Sequence, residues 1–477
     1  MKKMHKILAL IAACALIVGL FGACQPPAPT PDPAPAATTP ADPAPADPAP
    51  ADPAPTTDPA PADPAPAADP APADAPAEIV VWDIWAQNLD NNSTAWNDTI
   101  IPAFEAEYPN IKVTRESTEN EAYKTKFAAA QAAGTLPDVF FGWGPASARE
   151  LANANMLLDL GPYLDADYLS TVNPGSLDNF TFGGKTYGLT MTTWAAPLYC
   201  NEEMFTANNI AIPATYEELL TAIDGFKSAG ITPIALPAAD AWTVAFFQHI
   251  MAIRYAGAEN VNAMLNGEKS FNDPGIVQSA QALLDLVDAG AFDANAIASG
   301  EQEVTARFKA GEFPMYYLGD WLVSGIENPD ESSIVGKVVA VNFPGVGGDF
   351  DDQVLGGATD GFMVNANTAN PDAATTFLKF VTARLPEQSY KLGGSIPTRS
   401  NFNMADYSAN LPALSVGIAD FASKASGSTL AWDTFLPEVP RDRMLGMLQE
   451  LVGKQITAEE FAANMAAVCE ETGYAKY

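Results

Sequence analysis

Glu78-Ile79-Val80-Val81-Trp82-Asp83-Ile84 reads as a buried strand, and the residues after it repeat one rhythm. A helical stretch from about Ser93 to Tyr108 stops at Pro109-Asn110, and Ile111-Lys112-Val113-Thr114 alternates as a second strand. Glu121 to Ala133 is an Ala-rich helix, with Gly134 placed to cap its C-terminus in the left-handed conformation. Asp138-Val139-Phe140-Phe141-Gly142 is a third strand. Apolar strands alternating with helices across short loops predict an α/β fold with a parallel sheet covered on both faces.

The same signals recur downstream. Thr215-Tyr216-Glu217-Glu218 and Thr457-Ala458-Glu459-Glu460 are capping boxes that start helices. Asn370-Pro371 offers an N-cap followed by proline at the first helical position, opening a helix over 372–382. Gly183-Gly184-Lys185-Thr186 resembles the end of a phosphate-binding loop, but Asn179 stands where its leading glycine belongs, so a tight turn is expected.

In open α/β sheets ligands sit beyond the carboxyl ends of the strands. Here those ends hold tryptophan repeatedly. Trp82 and Trp85 close the first strand, and Trp143 closes the third. Trp194 lies in Met191-Thr192-Thr193-Trp194, Trp242 opens a helix after Asp240, and Trp321 follows Gly319-Asp320. An indole in such a place can stack on the C–H face of a sugar ring. Asn88, Asp240 and Asp320 stand beside these rings and can bond hydroxyls, a charged acceptor contributing about 1.5–3 kcal/mol.

Composition excludes several alternatives. The formal net charge is −34, which argues against nucleic acid, whose binding is driven by Lys and Arg. His249 is the sole imidazole beyond the N-terminal segment, and no G-x-S-x-G, H-E-x-x-H or Cys-x-x-Cys pattern accompanies it. No catalytic group, cofactor or metal is therefore expected; Asp349, Asp351 and Asp352 are expected to form a solvated loop. Cys200 and Cys469 are expected to be free buried thiols, with a bridge between them left open.

The first residues carry an export pattern. Lys2, Lys3 and Lys6 precede the apolar Ile7 to Leu20, and Gly22-Ala23 stands before Cys24. Leu20-Phe21-Gly22-Ala23-Cys24 resembles a bacterial lipobox, which implies cleavage of 1–23 and acylation (palmitate included) of Cys24 as a membrane anchor. Residues 25–77 repeat Asp-Pro-Ala-Pro seven times, a composition with nothing to bury. As extended polyproline II at about 3.1 Å per residue, this linker could reach roughly 150 Å.

From residue 78 onward the chain resembles the extracellular solute-binding proteins (family 1) of ATP-binding-cassette sugar importers, the family that includes maltose-binding protein. The resemblance is carried by Ala133-Gly134-Thr135-Leu136-Pro137-Asp138, Gly184-Lys185-Thr186-Tyr187-Gly188, Leu198-Tyr199-Cys200-Asn201-Glu202, Ala310-Gly311-Glu312-Phe313-Pro314-Met315 and Gly319-Asp320-Trp321. It implies a periplasmic-binding-protein-like fold: two discontinuous α/β lobes joined by hinge strands, with a ligand cleft between them. Lobe 1 would take 78–190 and 358–402, lobe 2 would take 191–357 and 403–477. Hinges would lie near Thr190 to Ala196, Gly356 to Gly361 and Ser400.

By that resemblance Trp85, Asn88 and Trp143 would line one side of the cleft, Trp242, Asp320 and Trp321 the other, with Trp194 and Gly357 near the hinges. Glu121, Asp240, Gln248 and Arg399 complete the expected ligand-binding set. The implied protein is a monomeric, lipid-anchored, extracytoplasmic receptor that captures a neutral carbohydrate, an oligosaccharide, and passes it to ABC transporter permease subunits. Two alternatives stay open: a binder of a solute such as glycerol phosphate, kept alive by Arg149 and Arg399, and a surface glycoside hydrolase, which would need two acids flanking a scissile bond.

Overall fold

The computed structural model describes residues 76–86 and 91–477; Cys24, the export segment, the linker and Asn88 lie outside the described residues. In chain order the strands are β1 (Ala77–Asp83), β2 (Ile111–Ser117), β3 (Val139–Trp143), β4 (Thr181–Phe182), β5 (Lys185–Thr186), β6 (Gly188–Thr190), β7 (Thr192–Ala195) and β8 (Leu198–Asn201). They continue as β9 (Ile234–Ala235), β10 (Met315–Tyr317), β11 (Val338–Val341), β12 (Val354–Gly357), β13 (Asp360–Val364), β14 (Ile396–Pro397) and β15 (Ser428–Thr429).

The first lobe is built on the sheet β2-β1-β3-β13-β6. β1 runs parallel to β2 and β3, but β13 is antiparallel to both β3 and β6, so the sheet is mixed. The pleat sends successive side chains to opposite faces. Phe141 and Phe362 accordingly join Ile79, Val81, Trp96, Phe104 and Phe377 on one side, while Phe140 and Met363 join Phe180 and Leu151 on the other. Helices cover both faces, as the alternating rhythm predicts.

Local chemistry sets the helix ends. Asn120–Ala133 starts one residue earlier than expected because the Glu119 carboxylate accepts from the Glu121 and Ala122 amides; Gly134 closes it at φ 68°. The segment expected over 93–108 runs from Asn91 to Glu107, with a π turn at Trp96–Ile100. Pro371–Lys391 extends well past Thr382 and carries Pro386 inside it. Burial of Leu385 and Ser389 holds that last stretch despite the proline. The Asn370 side chain makes no cap; its amide donates instead to the Glu78 carbonyl at 3.0 Å. Gly183 and Gly184, at φ 58° and 77°, form the tight turn between β4 and β5, so no phosphate loop exists there.

The second lobe is built on β11-β8-β10-β9. Its central helix, Ala241–Ala256, is buried continuously from Thr243 to Arg254. The buried Arg254 meets no carboxylate: it donates to the carbonyls of Phe350, Gln353 and Phe343 and to Asn342 Oδ1, tying the 342–353 loop to the core. Within that loop Asp351 accepts from the Val346 and Gly347 amides and Asp352 from Ser426, so these acids fasten backbone. Cys200 and Cys469 are free and buried. His249 stacks on Trp432 at 4.5 Å and its Nδ1 accepts from the Trp432 amide at 3.4 Å, while its Nε2 is unpartnered. Burial holds that imidazole well below its ordinary pKa, hence neutral. Both capping boxes form.

Four short strands, in the order β14-β7-β12-β15, make a third sheet where the chain passes between lobes. β7 and β12 approach closely at Gly356, where a Cβ would stand 2.1 Å from the Trp194 carbonyl oxygen. Among the described residues, no helix is long and apolar enough to cross a membrane.

Candidate functional site

Between the two lobes lies a cavity of about 800 Å³. Five tryptophans reach it: Trp85 and Trp143 from the first lobe, Trp194 from β7, and Trp242 and Trp321 from the second. Trp82 does not. It points away, with the Lys126 ammonium 3.7 Å from its ring centroid. The two remaining indoles, Trp96 and Trp432, are fully buried core.

Each cavity indole is held by a specific neighbour. Trp85 follows a tight turn pinned by Asp83, whose carboxylate takes the Trp85 amide at 2.9 Å and Arg115 bidentately at 2.6 and 2.8 Å. Burial pushes the Asp83 carboxyl up and Arg115 pulls it back. Trp85 and Trp143 both pack edge-on against Phe141, at 5.3 and 5.2 Å. Trp194 stacks flat on Phe246 at 5.5 Å and donates its Nε1–H to Thr359 Oγ1 at 2.8 Å; Thr359 in turn donates to Asp360 at 3.1 Å. Trp321 lies directly over Gly319, where a Cβ would stand 1.9 Å from the indole. It meets Trp194 edge-on at 5.6 Å and remains 37% exposed, which leaves ring surface free.

Glu121 and Asp240 line the cavity as the sequence predicts, but both already have partners. Glu121 Oε1 accepts from Trp242 Nε1 at 3.2 Å, Lys124 at 2.6 Å and Asn120 at 2.8 Å. Asp240 accepts the Glu301 amide at 2.6 Å, and burial raises its pKa.

Four predicted residues do not line the cavity. Gln248 sits on the buried side of its helix and donates to Ser279 at 2.9 Å. Asp320 is turned inward beneath Trp321, accepts from Ser395 at 2.7 Å, and is pushed up to about 7 by burial. Gly357 faces Leu430. Arg399 is buried over Tyr168, 4.6 Å from its ring centroid, and donates to Thr171. Packing away from the cavity removes all four from a ligand's reach, although Gln248 Oε1 and Arg399 Nε and Nη1 are left buried without a partner.

The cavity also holds groups the sequence reading missed: Lys124, Phe246, Glu301, Thr359, Asp360 and Asp433. Two had a local signal, since Lys124 stands three residues after Glu121 and Phe246 four after Trp242, one helical turn in each case. Asp360 fell within the expected hinge at 356–361 without being singled out, and Asp433 arrives from a remote segment and carried none. Burial pushes Glu301 and Asp433 up, and Asp360 to about 6. Among the described residues no group of three His, Cys, Asp or Glu could hold a metal ion.

Comparison with known proteins agrees with this architecture. Residues 86–384 match the profile of the bacterial extracellular solute-binding protein family. An ABC transporter extracellular-binding protein of Pyrococcus horikoshii is 24% identical over 319 residues, covering 65% of this chain and 70% of that protein. A structure solved in work on xylan utilization by the thermophile Caldanaerobius polysaccharolyticus superposes with a TM-score of 0.77 at 32% identity, covering 82% of this chain and 99% of the other. A chitin oligosaccharide binding protein superposes with a TM-score of 0.74 at 25% identity, covering 83% of this chain and 98% of the other. Family and structural relatives alike are binding proteins, and the family works outside the cytoplasm. A profile match over more than half the sequence, on a two-lobed fold with a walled cleft, makes this chain a member of the bacterial extracellular solute-binding protein family.

Proposed function

We propose that the chain captures a carbohydrate, an oligosaccharide, in the interlobe cavity and presents it to the permease of an ABC importer. The observation that carries this reading is the meeting of five indoles from distant chain segments in one cavity of about 800 Å³. Indole faces with carboxylate and hydroxyl neighbours suit a ring that is apolar on its C–H face and polar at its edge. The relatives named for chitin oligosaccharide and for work on xylan support the same ligand class. Function as a receptor asks for no covalent chemistry, only a closed state that the ligand favours by differential affinity.

The finer assignments belong to the same reading. Cys24 anchors the mature chain by its lipid, and the lobes divide at 78–190 with 358–402 and at 191–357 with 403–477. A thermal-shift screen over mono- and oligosaccharides, followed by calorimetry of the best, tests the proposal. Stoichiometric binding without product supports it; turnover of the saccharide, or no stabilisation by any saccharide, rejects it.

A further inference from the structure

Charge in the cavity is far from balanced. Among the described residues, ten carboxylates line it against three cationic side chains, Lys124, Lys309 and Arg441. Each cation is already paired with a lining acid: Lys124 with Glu121, Lys309 with Glu331, and Arg441 with Asp442. Among the described residues, the other seven lining carboxylates have no ion-pair partner. Four of these, Asp240, Glu301, Asp360 and Asp433, are half-buried. Their remaining contacts are thin. Glu301 takes one hydroxyl from Thr305 at 3.0 Å, Asp360 one from Thr359, and Asp433 Oδ1 is buried with no hydrogen-bond partner at all.

A carboxylate taken out of water costs free energy unless a donor or an opposite charge meets it. Sugar hydroxyls supply donors but no charge, and would leave this excess uncompensated. An ammonium supplies both, with three donors and a positive charge. The indoles favour the same group, since a cation within about 6 Å of an indole centroid is attracted to the ring face. Lys124 shows that the cleft accepts such a group: its ammonium lies 5.6 Å from the Trp143 centroid and 5.7 Å from that of Trp242.

We propose that the carbohydrate captured here is an amino-sugar oligomer with free ammonium groups, held in the cavity that Asp240, Glu301 and Asp433 line together with the indoles. This departs from the neutral ligand expected from the sequence, and it rests on the carbohydrate reading above. Even with burial raising Asp360 to about 6, that carboxyl is still mainly ionised at neutral pH, so the excess of negative charge persists there.

The test is calorimetry of the full chain in detergent micelles, slightly below neutral pH so that the amino groups are protonated. The probes are the glucosamine trimer, its fully N-acetylated counterpart, cellotriose, and spermidine as a cation without sugar rings. The glucosamine trimer is expected to bind at least about tenfold more tightly than either neutral trimer, a difference of about 1.4 kcal/mol. That advantage should shrink in about 0.5 M salt, where screening lengths fall to a few ångströms. It should also be lost in the Asp240→Asn, Glu301→Gln double variant. Neutral trimers binding as tightly as the charged one would overturn the ammonium while leaving the carbohydrate reading intact. Spermidine binding as tightly as the amino-sugar trimer would overturn it too, since the cleft would then be reading charge alone. If no saccharide binds, the carbohydrate reading itself falls and this inference falls with it.

Discussion

Glu121 Oε1 accepts the indole N–H of Trp242 at 3.2 Å, and the two residues stand on opposite walls of the cavity. Glu121 rides on a helix of the first lobe, while Trp242 opens the central helix of the second. A second tie runs beside them, from the Glu438 amide to Glu150 at 3.0 Å. The two walls are therefore bridged beside the cavity. In a protein that works by hinge closure, contacts of this kind set the balance between open and closed forms.

Trp242→Phe keeps an aromatic ring and removes the N–H. A hydrogen bond to a charged acceptor contributes about 1.5–3 kcal/mol, and the low end applies because Lys124 and Asn120 still satisfy Glu121. The expected outcome is a roughly tenfold shift of the ligand-free protein toward the open form. Small-angle scattering would report it as a larger radius of gyration, reversed by ligand; no change would leave the bond without a role in closure.

Trp321 offers the most accessible ring in the cavity, at 37% exposure. Trp321→Ala should weaken saccharide binding by at least about tenfold while moving the thermal midpoint by only a few degrees. Calorimetry and a melting curve on the same preparation decide it. An unchanged dissociation constant in a folded variant would remove Trp321 from the binding surface.

Asp320 gives a pH dependence of defined sign. Burial raises its folded pKa from 3.8 to about 7, so the native state holds a proton that the unfolded chain has released between those values. Stability contributed by this proton is complete below about pH 4 and is lost as pH rises toward 7. Asp320→Asn keeps an acceptor for Ser395 and removes the charge. The variant should therefore lose least on going from pH 5 to pH 8, and at pH 8 should exceed the parent by up to about 4 kcal/mol. Urea midpoints at the two pH values measure this; an identical pH slope in parent and variant would refute it.

Gly356 is required by close approach. A Cβ there would stand 2.1 Å from the Trp194 carbonyl oxygen, and φ is 156°. Gly356→Ala should destabilise the protein by about 1–3 kcal/mol with an unchanged denaturant slope. Because Trp194 lies on the strand that must shift, saccharide affinity should fall as well. Equal midpoints for parent and variant would show that β7 and β12 are not so close.

Much of the local structure was readable in the chain. Thr215 with Glu218 and Thr457 with Glu460 form the capping boxes their spacing announces, because a cap is satisfied within four residues. Gly183-Gly184 makes its turn for the same reason. Errors arose where a distant group competes. Asn370 caps nothing because the Glu78 carbonyl takes its amide, and the sheet is mixed because β13 enters from a segment far along the chain. Gln248, Asp320 and Arg399 had suitable chemistry for a ligand, but packing turns them away from the cavity toward Ser279, Ser395 and Thr171.

Sequence alone determined the alternating α/β rhythm, the absence of catalytic motifs and the placing of indoles at strand and helix ends. These depend on periodicity and on residue type, which are properties of neighbouring positions. Only the tertiary structure decided which indoles share one cavity, and that Trp82 is not among them. It also decided that Glu121 is committed across the cleft, and that, among the described residues, seven carboxylates line it without ion-pair partners. Such properties depend on the distance between segments remote in sequence, and charge compensation exists only once those distances are set.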